Sequence, residues 1–139
     1  MKPIEEFENK ERLAECLKWW KDKLFLGHWI IVADVVDIVK DCDGEEHDDF
    51  AGYNDFVYES MQSHIQIISK DSYKGSLEKY CAEKILVHEL LHCKYNWLSN
   101  RDSYEGVYVV TVEHSLLEQM AKTLIMAKYD LDMGYFAKE

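Results

Sequence analysis

Two histidines four residues apart, His88 and His92, with Glu89 directly after the first, are the residues of this 139-residue chain best suited by type and spacing to chemistry. Residues i and i+4 of an α-helix lie on one face, so both imidazoles can turn towards a single divalent cation at about 2.0–2.1 Å per metal–nitrogen bond. Glu89 is rotated away from that axis. It is placed as a base that takes a proton from water rather than as a ligand, the division of labour that this spacing supports on a helix. The flanks are apolar: Ile85, Leu86 and Val87 precede the pair, and Leu90 and Leu91 lie within it. Burying two imidazoles in such a setting is costly unless their nitrogens find partners, and a metal ion satisfies that need.

Two histidines do not complete a catalytic zinc site, which normally has three protein ligands and one open position. The last apolar stretch offers Glu113, His114 and Glu118. Ala121, a small residue one turn beyond Glu118, lets that helix approach its neighbour closely. His114 lies one turn before Glu118 on the same face, where it can coordinate, donate a hydrogen bond to a substrate, or orient Glu118.

The elements that must position these residues are legible in the hydrophobic periodicity. Over residues 4–23, Leu13, Leu17, Trp20 and Leu24 form one stripe, with Phe7, Cys16 and Trp19 on adjoining rows, which predicts an amphipathic helix ended by Gly27. Residues 28–39 are β-branched and apolar on both alternating sets, interrupted by Asp34 and Asp37, and read as a largely covered strand. Residues 41–49 hold six acids and read as a solvated hairpin loop. Gly44 is misplaced for an EF-hand, and no bidentate Glu follows at the required distance. Residues 50–59 and 61–69 read as two more strands. From residue 76 to 97 the 3.6-residue period returns, with Leu77, Cys81, Ile85, His88 and His92 on one row and Leu86 and Leu90 on another. That helix is apolar nearly all round, and so central. A polar turn at 99–103 leads to a last helix over 109–126, with Val110, Leu117, Ala121, Leu124 and Ile125 on its apolar side. The expected fold is α+β: one domain over residues 1–139, with an N-terminal helix, a small and mostly antiparallel sheet of about three strands, the motif helix and a C-terminal helix.

Bulk composition narrows the function classes. With 27 acidic against 16 basic residues, the formal charge of −11 opposes direct binding to nucleic acid or to anionic membranes. No stretch approaches the roughly 20 apolar residues that span a bilayer. Glu5 and Glu6 stand where a secretory signal would be apolar, which points to a cytoplasmic protein. Cys16, Cys42, Cys81 and Cys93 form no Cys-x-x-Cys pair and read as reduced thiols.

His88-Glu89-Leu90-Leu91-His92, followed by a helical Glu118, resembles the zincin superfamily of metallopeptidases, specifically short gluzincin-like domains such as the ImmA/IrrE-type, SprT-like and small phage-encoded ones. The resemblance covers most of the chain in element order, and the motif and Glu118 in residues. It implies His88, His92 and Glu118 as ligands of Zn²⁺, Glu89 as general base in peptide-bond hydrolysis, and a peptide or protein as substrate. It also implies that an extended substrate lies along a sheet edge beside the motif helix, for which the strand at residues 64–68 is the candidate. Tyr95, Tyr104, Tyr108 and His114 are all available as oxyanion donors. The helix-turn-helix often joined to ImmA-type domains and the basic tail of SprT-like proteins have no counterpart. Asn96 and Leu98 stand where metzincins extend their motif, and Asp41-Cys42-Asp43 matches poorly the cysteine ligand of a peptide deformylase.

Two other readings compete. In one, the domain is a catalytically idle interaction module whose metal only locks two helices together, closed by a fourth donor such as His114 beside Glu118. In the other, the protein is metal-free and its acidic face binds a basic partner.

Overall fold

The structure, a computed structural model, describes residues 1–96 and 106–138, and of residues 106–111 the backbone alone. Helix α1 spans Lys10–Lys23. Its first turn is capped by Asn9, whose side-chain oxygen accepts the Arg12 amide at 2.9 Å. Leu13, Cys16 and Trp20 face inwards. The helix stops earlier than Gly27, because Phe25 adopts a left-handed conformation (φ 59°) and the Leu26 amide turns back onto the Lys21 carbonyl at 2.8 Å. It also starts later than residue 4, since Ile4 and Glu5 are used to cap another helix.

Strands β1 (Ile30–Val36), β4 (Gly52–Val57) and β5 (Gln62–Ile68) form a sheet in the order β1-β5-β4. β5 runs parallel to β1, with Val32 opposite His64, and antiparallel to β4, with Asn54 opposite Ile65. The three-stranded sheet is therefore mixed. Two short strands, β2 (Val39–Lys40) and β3 (Glu46–His47), pair as a hairpin around the acidic loop. Gln66 fastens that hairpin to the sheet, accepting the Lys40 amide at 2.9 Å and donating to the Lys40 carbonyl at 2.7 Å.

Two strand expectations need correction. β5, which holds residues 64–68, is the central strand, so its backbone is occupied on both sides and cannot receive a substrate strand; the edges are β1 and β4. Nor is β1 largely covered. The face carrying Ile31, Ile65 and Ile67 is packed against helices, whereas Ile30 and Val32, on the opposite face, are 65% and 55% exposed. A β-branched run does not by itself distinguish a strand covered on both faces from an edge strand covered on one.

Helix α2 (Ala82–Lys94) is the centre of the molecule, with 11 of its 13 residues buried. It packs on β4 and β5 and along helix α3 (Gly106–Tyr129). It begins six residues after the expected start. Its first amides, from Ala82 and Glu83, donate to the carbonyls of Glu5 and Ile4 at 3.1 and 3.0 Å, so the N-terminal segment sets where the helix begins. Leu77, expected on the buried row, is 83% exposed. It lies in a bend outside the helix, and the chain there pairs with the C-terminal tail through Lys79 to Phe136 and Lys138 to Leu77. In α3 the buried stripe is Glu113, Leu117, Ala121 and Ile125. The expected helix end at Trp97 and the polar turn at 99–103 lie outside the described residues. Each Leu or Ile sealed between α2, α3 and the sheet contributes about 1.5–3 kcal/mol.

All four cysteines are free, three of them buried and Cys42 exposed. Among the described residues no helix is long and apolar enough to cross a membrane.

Candidate metal centre

Helices α2 and α3 and the start of β4 enclose a cleft of about 450 Å³ that contains His88, Glu89, His92, His114 and Glu118. His88 and His92 leave α2 one turn apart, with ring centroids separated by 5.3 Å, and His114 of α3 meets them at 5.8 and 5.3 Å. One nitrogen from each of the three rings lies within 4.8 Å of the other two. Three nitrogens at about 2.0–2.1 Å from one tetrahedral cation sit roughly 3.3 Å apart, so side-chain rotation of at most about 1.5 Å brings the set to bonding geometry. The donor chemistry fits a borderline ion such as Zn²⁺.

The Nδ1 nitrogens of the two motif rings are already committed. His92 Nδ1 lies 2.9 Å from Glu113 Oε1, and His88 Nδ1 lies 3.2 Å from Glu118 Oε1. An ionised carboxylate can only accept, so each Nδ1–H donates, and Nε2 of each ring is the nitrogen left for a metal. Glu113 is 2% exposed. A carboxylate that deep requires a partner, and holding an imidazole in one tautomer is the task it performs here. Burial alone would raise the Glu118 carboxyl pKa, yet the His88 hydrogen bond and the Lys84 charge outweigh it and hold the group at about 2. Burial likewise opposes a charge on His88, while Glu118 and Glu89 favour one and carry the net shift upwards.

Glu89 lies inside the cleft, with Oε1 4.0 Å from His92 Nε2. Its carboxyl is pushed above the usual range, chiefly by burial, against the lowering influence of His88 and His92. Strand β4 runs unusually close to it. A β-carbon on Gly52 would stand 2.9 Å from Glu89 Oε2, 2.9 Å from Ile85 Cγ2 and 3.1 Å from the Gln66 carbonyl oxygen. Two residues on, the Asn54 side-chain amide donates to the Glu89 main-chain carbonyl, and the Ser63 hydroxyl donates to Asn54 Oδ1. The Glu89 carbonyl, which accepts from Asn54, is thereby tied across to the sheet, which fixes α2 against β4 at the base.

Glu118, the third ligand implied by the family resemblance, is brought to the site but faces other partners. Lys84 Nζ lies 3.2 and 3.0 Å from its two oxygens, while the same ammonium is 3.0 Å from Glu78 Oε2. Glu78 in turn pairs with Lys122. The residue gathered with His88 and His92 is His114. Of the expected oxyanion donors, Tyr104 and the Tyr108 side chain lie outside the described residues.

The sequence offered Glu113 beside His114 and Glu118 for completing the metal site without foreseeing that it orients His92, and it gave no role to Lys84, Gly52 or Asn54. Glu113 and Lys84 had a signal. Glu113 falls in the i, i+4 register of Leu117, Ala121 and Ile125, where a carboxylate must be paired. Lys84 stands four residues before His88, on the same face of a helix otherwise apolar. Gly52 and Asn54 carry no such mark, because only the docking of β4 on α2 gives them a neighbour. Comparison of the chain with family models, curated proteins and solved structures returns no match.

Proposed function

We propose that this protein is a zinc-dependent peptidase of the zincin kind, in which His88, His92 and His114 hold the metal and Glu89 is the general base. The observation that carries this reading is the convergence of three imidazoles beside a buried carboxylate, with both motif rings already oriented by carboxylates on Nδ1. A bound Zn²⁺ supplies Lewis acidity at the scissile carbonyl and lowers the pKa of water. Glu89 takes up the proton of the attacking water and returns it to the leaving amine. Glu113 and Glu118 keep the two rings in the tautomer the metal requires.

The substrate lies along β4 rather than β5. The Ile68 amide donates to the Ala51 carbonyl, and hydrogen-bonded pairs alternate along an antiparallel ladder. The main-chain groups of Gly52, Asn54 and Phe56 therefore face away from β5, towards the open edge of the sheet. An extended peptide added there gains backbone hydrogen bonds with modest side-chain selectivity.

The test is metal analysis of untagged protein together with cleavage of a mixed fluorogenic peptide library. Wild type is expected to carry about one zinc per chain and to cleave. Glu89→Gln is expected to keep zinc and lose cleavage by at least 10²-fold. His114→Ala is expected to lose zinc, whereas Glu118→Ala retains it with weakened affinity. Zinc binding equal to wild type in His114→Ala removes the proposed third ligand, and cleavage by Glu89→Gln at the wild-type rate removes the proposed base.

A further inference from the structure

We infer that Lys84 is the residue that keeps the metal centre open, by holding Glu118 as a hydrogen-bond partner of His88 and so preventing it from becoming a fourth ligand. The inference rests on the reading of His88, His92 and His114 as the ligand set. Glu118 is a flexible carboxylate in the same cleft as the three imidazoles, and such a group is ordinarily drawn to a divalent cation. Its two oxygens are instead both within 3.2 Å of the Lys84 ammonium. Lys84 is only 5% exposed. A charge that deep is held in place by its counter-charges, since leaving them is more costly than for a surface lysine.

The surrounding charges make the assignment specific to Lys84. Along one chain of ion pairs they alternate as Lys122, Glu78, Lys84 and Glu118, ending at His88. If the Lys84 charge is removed, Glu78 retains Lys122, whereas Glu118 loses its ammonium partner and the strongest remaining attraction is the metal. Coordination by Glu118 would then fill the position that a substrate carbonyl or water must occupy. The domain would become the closed, structural version of itself, so a single side chain separates a catalytic site from a metal clamp.

The experiment uses cobalt(II)-substituted protein and azide, a small anion that shifts the visible cobalt spectrum when it enters an open coordination position. Wild type is expected to bind one cobalt per chain and to respond to azide. Lys84→Met, with folding checked by circular dichroism, is expected to retain cobalt but bind azide at least tenfold more weakly, and Lys84→Met/Glu118→Gln is expected to regain the response. Glu118→Gln with Lys84 intact is expected to bind cobalt more weakly, since the carboxylate on His88 Nδ1 is lost, but to keep the azide response once saturated with cobalt, and this arm stands even if Lys84→Met fails to fold. A wild-type azide response in Lys84→Met, a double variant that stays closed, or loss of the azide response from cobalt-saturated Glu118→Gln each overturns the inference. Failure of wild type to bind cobalt overturns the ligand set beneath it instead.

Discussion

Replacing Gly52 with alanine is expected to damage catalysis more than stability, because the added methyl group is aimed at the base. The new carbon would sit 2.9 Å from both Glu89 Oε2 and Ile85 Cγ2, and 3.1 Å from the Gln66 carbonyl oxygen. Carbon and oxygen atoms in ordinary contact are about 3.5 Å apart or more, so something must retreat by roughly half an ångström. The Gln66 carbonyl belongs to the central strand, and Ile85 is sealed in the core. The free end of the Glu89 side chain is what can move. Overpacking of this kind costs about 1–3 kcal/mol, which for a domain of this size lowers the melting temperature by about 3–12 °C. A misplacement of the base on the order of 1 Å reduces kcat by about 10²-fold, with KM changing much less. The assay is steady-state cleavage of a peptide selected from the library, alongside thermal melting and zinc content. Wild-type kcat combined with a wild-type melting temperature would refute the reasoning, since β4 could not then run against Glu89 as described.

Other perturbations reach different parts of the network. Glu113→Gln keeps the shape of a side chain that is 2% exposed but removes the charge on His92 Nδ1, and zinc affinity measured by chelator competition is expected to fall about 10–100-fold. A change under twofold would mean that Glu113 does not orient the ring. Glu83 is buried at the start of α2, where Lys128, the Tyr129 hydroxyl, the Ile4 amide and the Trp20 indole all donate to it. Burial raises its pKa, yet these partners outweigh burial and hold it below the usual value. A carboxyl with a lowered folded-state pKa stabilises the fold above its unfolded value of about 4.3 and loses that contribution as pH falls through the folded value. Wild type is therefore expected to lose melting temperature steeply below about pH 4. Glu83→Gln, which strands the Lys128 charge, is expected to cost about 3–5 kcal/mol at neutral pH and to flatten the acid limb. Parallel pH profiles for the two proteins would count against this account.

Local sequence determined the parts of this protein that repeat at the spacing of their own element. His88 and His92 share a face because they are four residues apart on a helix, and the apolar residues between and around them make that helix central before any contact is known. The helix–strand–helix order, the hairpin around the acidic loop, and the strands that became β4 and β5 follow from the same short-range patterns. What the tertiary structure decided are relations between elements, which no period within one element encodes. β5 became central because it returned parallel to β1 while pairing antiparallel with β4, and that left β4 as an edge. The start of α2 was set by carbonyls about 78 residues away in the N-terminal segment. The choice between His114 and Glu118 was equally nonlocal: both lie on one face of α3, and a lysine on the facing helix claimed the carboxylate while the imidazole met the motif rings. Gly52 shows the same limit most directly, since what excludes a side chain there is the space taken by Glu89, Ile85 and the Gln66 carbonyl, and that proximity exists only after strand and helix have packed.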